Sequence, residues 1–163
     1  MKILKTEKPE IKLVGLKTRT LNQNEFNPET AKIAPLVGRY WNENTAEQIP
    51  NRKNPGVVLV GYSNYASDEH GEYDFLFGEE VTRFDGVPAT LSQLTVPAAS
   101  YLEITSDLGP MPQIMFQTWQ KVWELTQQKK LGAERSYQVD FEIHDQQNSD
   151  PNQQVFKIYL GIK

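Results

Sequence analysis

The stretch Tyr137-Gln138-Val139-Asp140-Phe141-Glu142-Ile143-His144-Asp145 alternates without a break. Val139, Phe141 and Ile143 fall on one side, and Gln138, Asp140, Glu142 and His144 on the other. A period of two reads as a half-buried β-strand. Its polar side has two readings. It is either a solvated sheet face, common in antiparallel sheets, or the floor of a ligand cavity in which the Glu142 carboxylate awaits a cation.

Working outward, a polar loop (Gln146 to Gln153) follows, and Val155 to Ile162 reads as a closing strand. Upstream, Ala98 to Thr105 reads as a strand and Gln113 to Leu131 as a helix. Met115, Phe116, Trp119, Val122 and Trp123 form one stripe of that helix, and Gly132 is placed to stop it. The N-terminal half repeats the order. Ile11 to Thr18 is a strand, and Asn27-Pro28-Glu29-Thr30 resembles a helix start. Ile33, Leu36, Val37, Tyr40 and Trp41 then recur at helical spacing. Pro35 interrupts them, so the helix is expected to begin nearer Ala31 or to kink. Val57 to Tyr62 and Tyr73 to Val81 form a hairpin around the loop Asn64 to Gly71. Thr82 to Val96 reads as a crossing connection, with turns at Asp85-Gly86 and Val87-Pro88.

Both halves are therefore β-α-β-β. The expectation is an α+β fold in one domain, 1–163, with pseudo-repeats over 11–81 and 98–162 and a connection over 82–97. The two units form a curved antiparallel sheet. Helices cover one face, and a central ligand groove lies on the opposite, concave face near the pseudo-twofold.

Composition narrows the function. The 163 residues carry 17 basic and 21 acidic side chains, a net charge of −4 with no basic stripe, which disfavours binding nucleic acid through its phosphates. No apolar run has the length to span a bilayer. The N-terminus lacks a signal-like apolar core, so a cytoplasmic location is expected. Cysteine is absent, which removes disulfides, thiolate catalysis and zinc–thiolate sites. His70, beside Asp68, Glu69 and Glu72, fits no zinc or calcium spacing and reads as part of a solvated acidic loop. His144 reads as a strand-end polar residue first and a proton-transfer partner second. No phosphate-binding glycine loop is present, so neither metal nor cofactor is expected.

Val14-Gly15-Leu16-Lys17, Gly71 to Val81, Val96-Pro97-Ala98-Ala99-Ser100-Tyr101, Trp123, Asp140-Phe141-Glu142-Ile143 and Val155 to Lys163 occur in an order that resembles the GyrI-like, or AraC effector-binding, domain family. The likeness spans nearly the whole chain, and free-standing members encoded in integron cassettes are similar in length. The resemblance implies two β-α-β-β units with a groove between them. In drug-binding members an acidic groove residue meets cationic ligands, and the matching position here is Glu142. Fewer than a dozen residues precede the first expected strand, so the regulators' DNA-binding module has no counterpart and activation by this chain alone is not expected.

Glu142 therefore heads the candidate site, since a carboxylate buried without a partner is costly. Aromatic faces would complement a lipophilic cation. By parity, Phe156, Ile158 and Leu160 share one side of the last strand, which leaves Tyr159 for the groove, in phase with Glu142. Tyr62, Tyr73, Tyr101, Trp41 and Trp123 are further lining candidates, each with core packing as the alternative. Trp119 is assigned to the core by its central place in the helix stripe.

The expected function is a stand-alone module for hydrophobic, cationic, drug-like molecules, non-enzymatic and linked to transcription regulation or drug resistance. Two other readings stay open: a hydrolase using the same groove, and a protein-interaction inhibitor like the gyrase-inhibiting relatives, with a protein partner or homodimer.

Overall fold

The computed structural model describes residues 1–145 and 150–163. Part of the expected loop Gln146 to Gln153 lies outside them. Eight strands form one antiparallel sheet: β1 (Lys2–Lys8), β2 (Ile11–Thr20), β3 (Val58–Ser63), β4 (Tyr73–Val81), β5 (Ser92–Val96), β6 (Ala99–Thr105), β7 (Arg135–His144) and β8 (Lys157–Ile162). Their order across the sheet is β1-β6-β8-β7-β3-β4-β2-β5. The helices are α1 (Asn22–Glu25), α2 (Ile33–Asn42) and α3 (Gln113–Gln127), with a short 3-10 turn at Thr45–Gln48. The α+β class and the antiparallel sheet agree with the sequence reading.

The sheet order is palindromic about the β7–β3 pair: β6-β8-β7 on one side mirrors β2-β4-β3 on the other. Each half also has a leading strand that the sequence reading missed. β1 runs into β2 through Pro9-Glu10, and β5 runs into β6 through Pro97-Ala98. These strands are exchanged: β1 pairs with β6 of the other half, and β5 pairs with β2. Proline cannot donate to a ladder, so each leading strand stops at its proline and crosses over. The expected connection over 82–97 therefore contains a strand. β1 (KILKTEK) and β5 (SQLTV) hid because, as edge strands, they are polar and only partly buried.

Helix boundaries moved for local reasons. α2 begins at Ile33, which puts Pro35 in its first turn, where the amide hydrogen would have no intrahelical partner. Asn27 does not cap this helix; its Oδ1 accepts from the Glu29 amide in a turn. The Glu25 carboxylate caps α2 instead, accepting from the amides of Lys32 and Ile33 at 2.9 Å each. α3 ends at Gln127 because Lys129 turns left-handed at φ 56°, and the Lys130 amide closes back on Leu125 O. Gly132 lies beyond that stop.

The two faces of the sheet are buried differently. On one, α2 packs Leu36 and Tyr40 against β2, β3 and β4, while α3 packs Ile114, Trp119 and Val122 against β6 and β8. On the other, no helix packs among the described residues. Leu13, Leu59, Leu76, Tyr101, Val139, Phe141 and Tyr159 are buried against one another, so the sheet must curl over itself. Leu94 of β5 reaches across two strands to within 2.6 Å of where a Cβ on Gly61 of β3 would stand. Paired Gly15 and Gly78 permit that curl, since a Cβ on either would lie 2.1 or 1.9 Å from the opposing carbonyl oxygen.

Candidate functional site

α2 and α3 stand on either side of the central strands β3 and β7. A cavity of about 360 Å³ lies between them. Val60 and Tyr62 of β3, with Glu142 and His144 of β7, form its floor. Tyr73, Phe75 and Phe77 of β4 extend it beneath α2, while Ile33, Ala34 and Val37 of α2 form one wall. Met115, Phe116, Trp119 and Trp123 of α3 form the other wall, and Phe26 after α1 stands at the mouth with its ring edge-on to Trp123 at 6.2 Å.

The cavity thus sits at the expected pseudo-twofold but on the helix face, not the opposite one. Register explains the correction. Glu142 lies opposite Val60 and Ile158, both of which point into the helix-side cores. The apolar trio Val139, Phe141 and Ile143 belongs to the curled-over face, where Phe141 lies opposite Tyr159 and stacks on it at 4.6 Å. Both faces are buried, so an apolar row does not mark the helix side.

Glu142 is 1% exposed. Its Oε1 accepts from Tyr62 Oη at 2.8 Å and Trp119 Nε1 at 2.5 Å, and its Oε2 lies 2.7 Å from His144 Nε2. Among the described residues no Lys or Arg stands within ion-pair distance of it. A buried carboxylate is expensive unless hydrogen-bonded and charge-balanced. Here hydrogen bonding is generous, and among the described residues no Lys or Arg balances the charge. Burial and the Glu142 charge together hold the Tyr62 phenol well above its ordinary range, so it stays a donor. The Tyr73 phenol is raised chiefly by burial and donates to Asn22 Oδ1 at 2.9 Å. Tyr62 also packs its ring against those of Tyr73, Phe75 and Trp119, at 5.6, 5.6 and 5.2 Å. The floor is therefore an aromatic box around one carboxylate.

The structure brings Glu142, Tyr62, Tyr73 and Trp123 together on the cavity surface and places three other candidates elsewhere. Tyr159 lies on the opposite face, where the Lys8 ammonium sits over its ring at 4.7 Å. Tyr101 lies on that face too, edge-on to Phe141, donating to Pro97 O at 2.9 Å. Trp41 is half exposed near the end of α2, edge-on to Tyr40 and Phe77, and does not line the cavity. Trp119, assigned to the core, is packed and also bonds the carboxylate.

The sequence reading also missed Tyr65, Phe75, Phe77, Phe26 and Arg135 as cavity residues. Phe75 and Phe77 share the parity of Tyr73 on β4, and that signal was available. His70 is exposed and 3.8 Å from Glu69. Among the described residues no three His, Cys, Asp or Glu side chains converge to hold a metal, and no helix is long and apolar enough to cross a membrane.

Known proteins share this architecture. An integron cassette protein from the mobile metagenome of Vibrio cholerae superposes with a TM-score of 0.78 at 25% identity, covering 99% of this chain and 95% of that one. SAV2435, solved with tetraphenylphosphonium bound, superposes at 0.77 with 16% identity over 100% and 94% of the two chains, a likeness of fold. YobU of Bacillus subtilis (strain 168), a candidate transcriptional regulator, is 28% identical over 152 residues, 93% of this chain and 92% of that protein. A family model matches residues 6–162, nearly the whole length, and the chain belongs to that family, Cass2, the integron-associated effector-binding proteins.

Proposed function

We propose that this protein binds hydrophobic, cationic small molecules in the helix-side cavity, with Glu142 as counter-charge. One observation carries the reading: a carboxylate 1% exposed at the floor of an aromatic cavity, with no Lys or Arg paired to it among the described residues. A cation with its charge spread over an apolar frame loses little on leaving water. It gains the Coulomb attraction of Glu142 and the faces of Tyr62, Tyr73, Trp119 and Trp123, each well-placed desolvated face contributing up to about 2 kcal/mol. The ligand of SAV2435 has this chemistry. The Tyr62, Trp119 and His144 donors hold the carboxylate in place before a guest arrives, which lowers the ordering cost of binding.

Binding rather than turnover fits the chemistry of the floor. Each Glu142 oxygen is committed to a donor, and among the described residues no serine, threonine or lysine nucleophile lines the cavity. Titration of the protein's tryptophan fluorescence with tetraphenylphosphonium tests the reading. Saturable quenching, lost in the Glu142→Gln variant, is expected; quenching of equal affinity in both proteins refutes it.

A further inference from the structure

Arg135 is the one Lys or Arg side chain lining the cavity among the described residues, and neither the family nor the cation reading uses it. It opens β7 and is 4% exposed. Regular alternation would put it on the far face with Val139 and Phe141. Tyr137 adopts a left-handed φ of 52°, and the β7–β8 register slips between Arg135 and Asp140. That bulge turns Arg135 to the helix side, opposite Ile162.

There Arg135 Nη2 donates to Asp140 Oδ2 at 2.6 Å, while its guanidinium lies over the Tyr137 ring at 4.2 Å. Asp140 is saturated without further help: Tyr65 Oη donates to Oδ2 at 2.6 Å and the Gly161 amide to Oδ1 at 2.9 Å. Arg135 Nε and Nη1 find no partner among the described residues. Buried donors are seldom left unpaired, and a strained bulge that carries one to a ligand cavity calls for a functional account.

We infer that Arg135 supplies a second polar pole for the guest. Nε and Nη1, closed off from solvent, turn toward the guest as it enters and receive a neutral acceptor, a carbonyl or ester oxygen, on the same apolar frame that carries the cation to Glu142. Because Asp140 cancels the arginine's charge, the pole offers donors without repelling a positive guest. The favoured ligand class is thus a lipophilic cation with a carbonyl-type acceptor set apart from its charged centre. This inference rests on the cation reading and refines it.

A matched pair of probes tests it: benzoylcholine and its (2-benzyloxyethyl)trimethylammonium analogue, which differ only in C=O against CH2. Calorimetric titration of the wild type should favour the ester by about tenfold, about 1.4 kcal/mol. In Arg135→Lys, whose single ammonium can hold Asp140 but not reproduce two donors in a fork, the preference should fall below about twofold. The double variant Arg135→Met/Asp140→Asn, which leaves no buried charge unpaired, should lose the preference likewise and guards against misfolding of the first. Equal wild-type affinities, or a preference surviving in both variants, overturn the inference. Tetraphenylphosphonium, titrated alongside, separates the two claims. If it binds through Glu142 and the ester shows no advantage or no binding, only the acceptor pole fails; if it does not bind, the cation reading fails first.

Discussion

Replacing Glu142 by Gln removes one charge and almost nothing else. Tyr62 Oη and Trp119 Nε1 both donate to Oε1, which the amide oxygen can replace. His144 Nε2 faces Oε2, and the amide NH2 can occupy that place if the imidazole presents its other tautomer. The fold should therefore keep its stability to within about 1 kcal/mol. Binding should not. A bulky cation centred roughly 5–6 Å from the carboxylate gains about 3 kcal/mol of Coulomb energy at an effective dielectric of about 20. Part of this is offset because Glu142 is already stabilised by its donors, leaving a loss of about 1.5–3 kcal/mol, or roughly 10- to 150-fold in Kd. Calorimetry on both proteins with tetraphenylphosphonium measures the loss, and thermal melting confirms that the variant is folded. A neutral probe of the same shape should bind both proteins equally. If the variant keeps its affinity for the cation, or loses the neutral probe to the same degree, charge pairing at Glu142 is not the basis of binding.

Tyr62→Phe withdraws one donor from a buried carboxylate, so urea unfolding should show a loss of about 1–3 kcal/mol. Gly15→Ala or Gly78→Ala forces a methyl into a carbonyl oxygen and should cost about 3 kcal/mol. Gly38→Ala in α2 meets nothing within 4 Å and should add up to about 1 kcal/mol, with ligand affinity unchanged. Burial raises the Tyr101 phenol to about 12, so the folded chain keeps a proton that the unfolded chain releases near 10. That contribution is whole below about pH 10 and is lost as pH rises toward 12. Tyrosinate absorbance should accordingly appear together with the loss of near-ultraviolet circular dichroism, and tyrosine ionisation well before unfolding would contradict the burial.

The elements that carry regular alternation or a helical stripe were legible: β2, β3, β4, β7 and α3 all lie where their patterns put them, give or take a few residues at the ends. β1 and β5 were not, because an edge strand buries too little to leave a pattern. Pro9 and Pro97, two residues before the next strand in each half, were the available sign that the halves match from their first strands. Glu142 and the strand aromatics could be singled out as chemistry. Arg135 could not, since the bulge that turns it inward depends on the backbone at Tyr137, and alternation read backward from Phe141 sends it to the wrong face.

The face of the cavity was lost for a more general reason. Parity within a strand says which residues share a side, and only register between strands says which side that is. Tyr159 and Glu142 were each placed correctly against their own neighbours, yet β8 meets β7 with Tyr159 opposite Phe141 and Ile158 opposite Glu142. An alternating strand assigns its apolar row to the core only when the sheet has one dry face. This sheet has two: one under the helices and one inside its own curl, held shut by Gly15, Gly61 and Gly78, which leave room for it. With Val139 and Phe141 filling the curl, the polar row of β7 turns toward the helices. Asp140 and Glu142 could be tolerated there only beside donors or a cavity, and the structure gives them both. A buried polar row on a strand with a dry opposite face is thus a sign of a site in this fold, and filling the hollow tests it: Val37→Phe on α2 should cost little stability and exclude a bulky cation, whereas an unchanged affinity would place binding elsewhere.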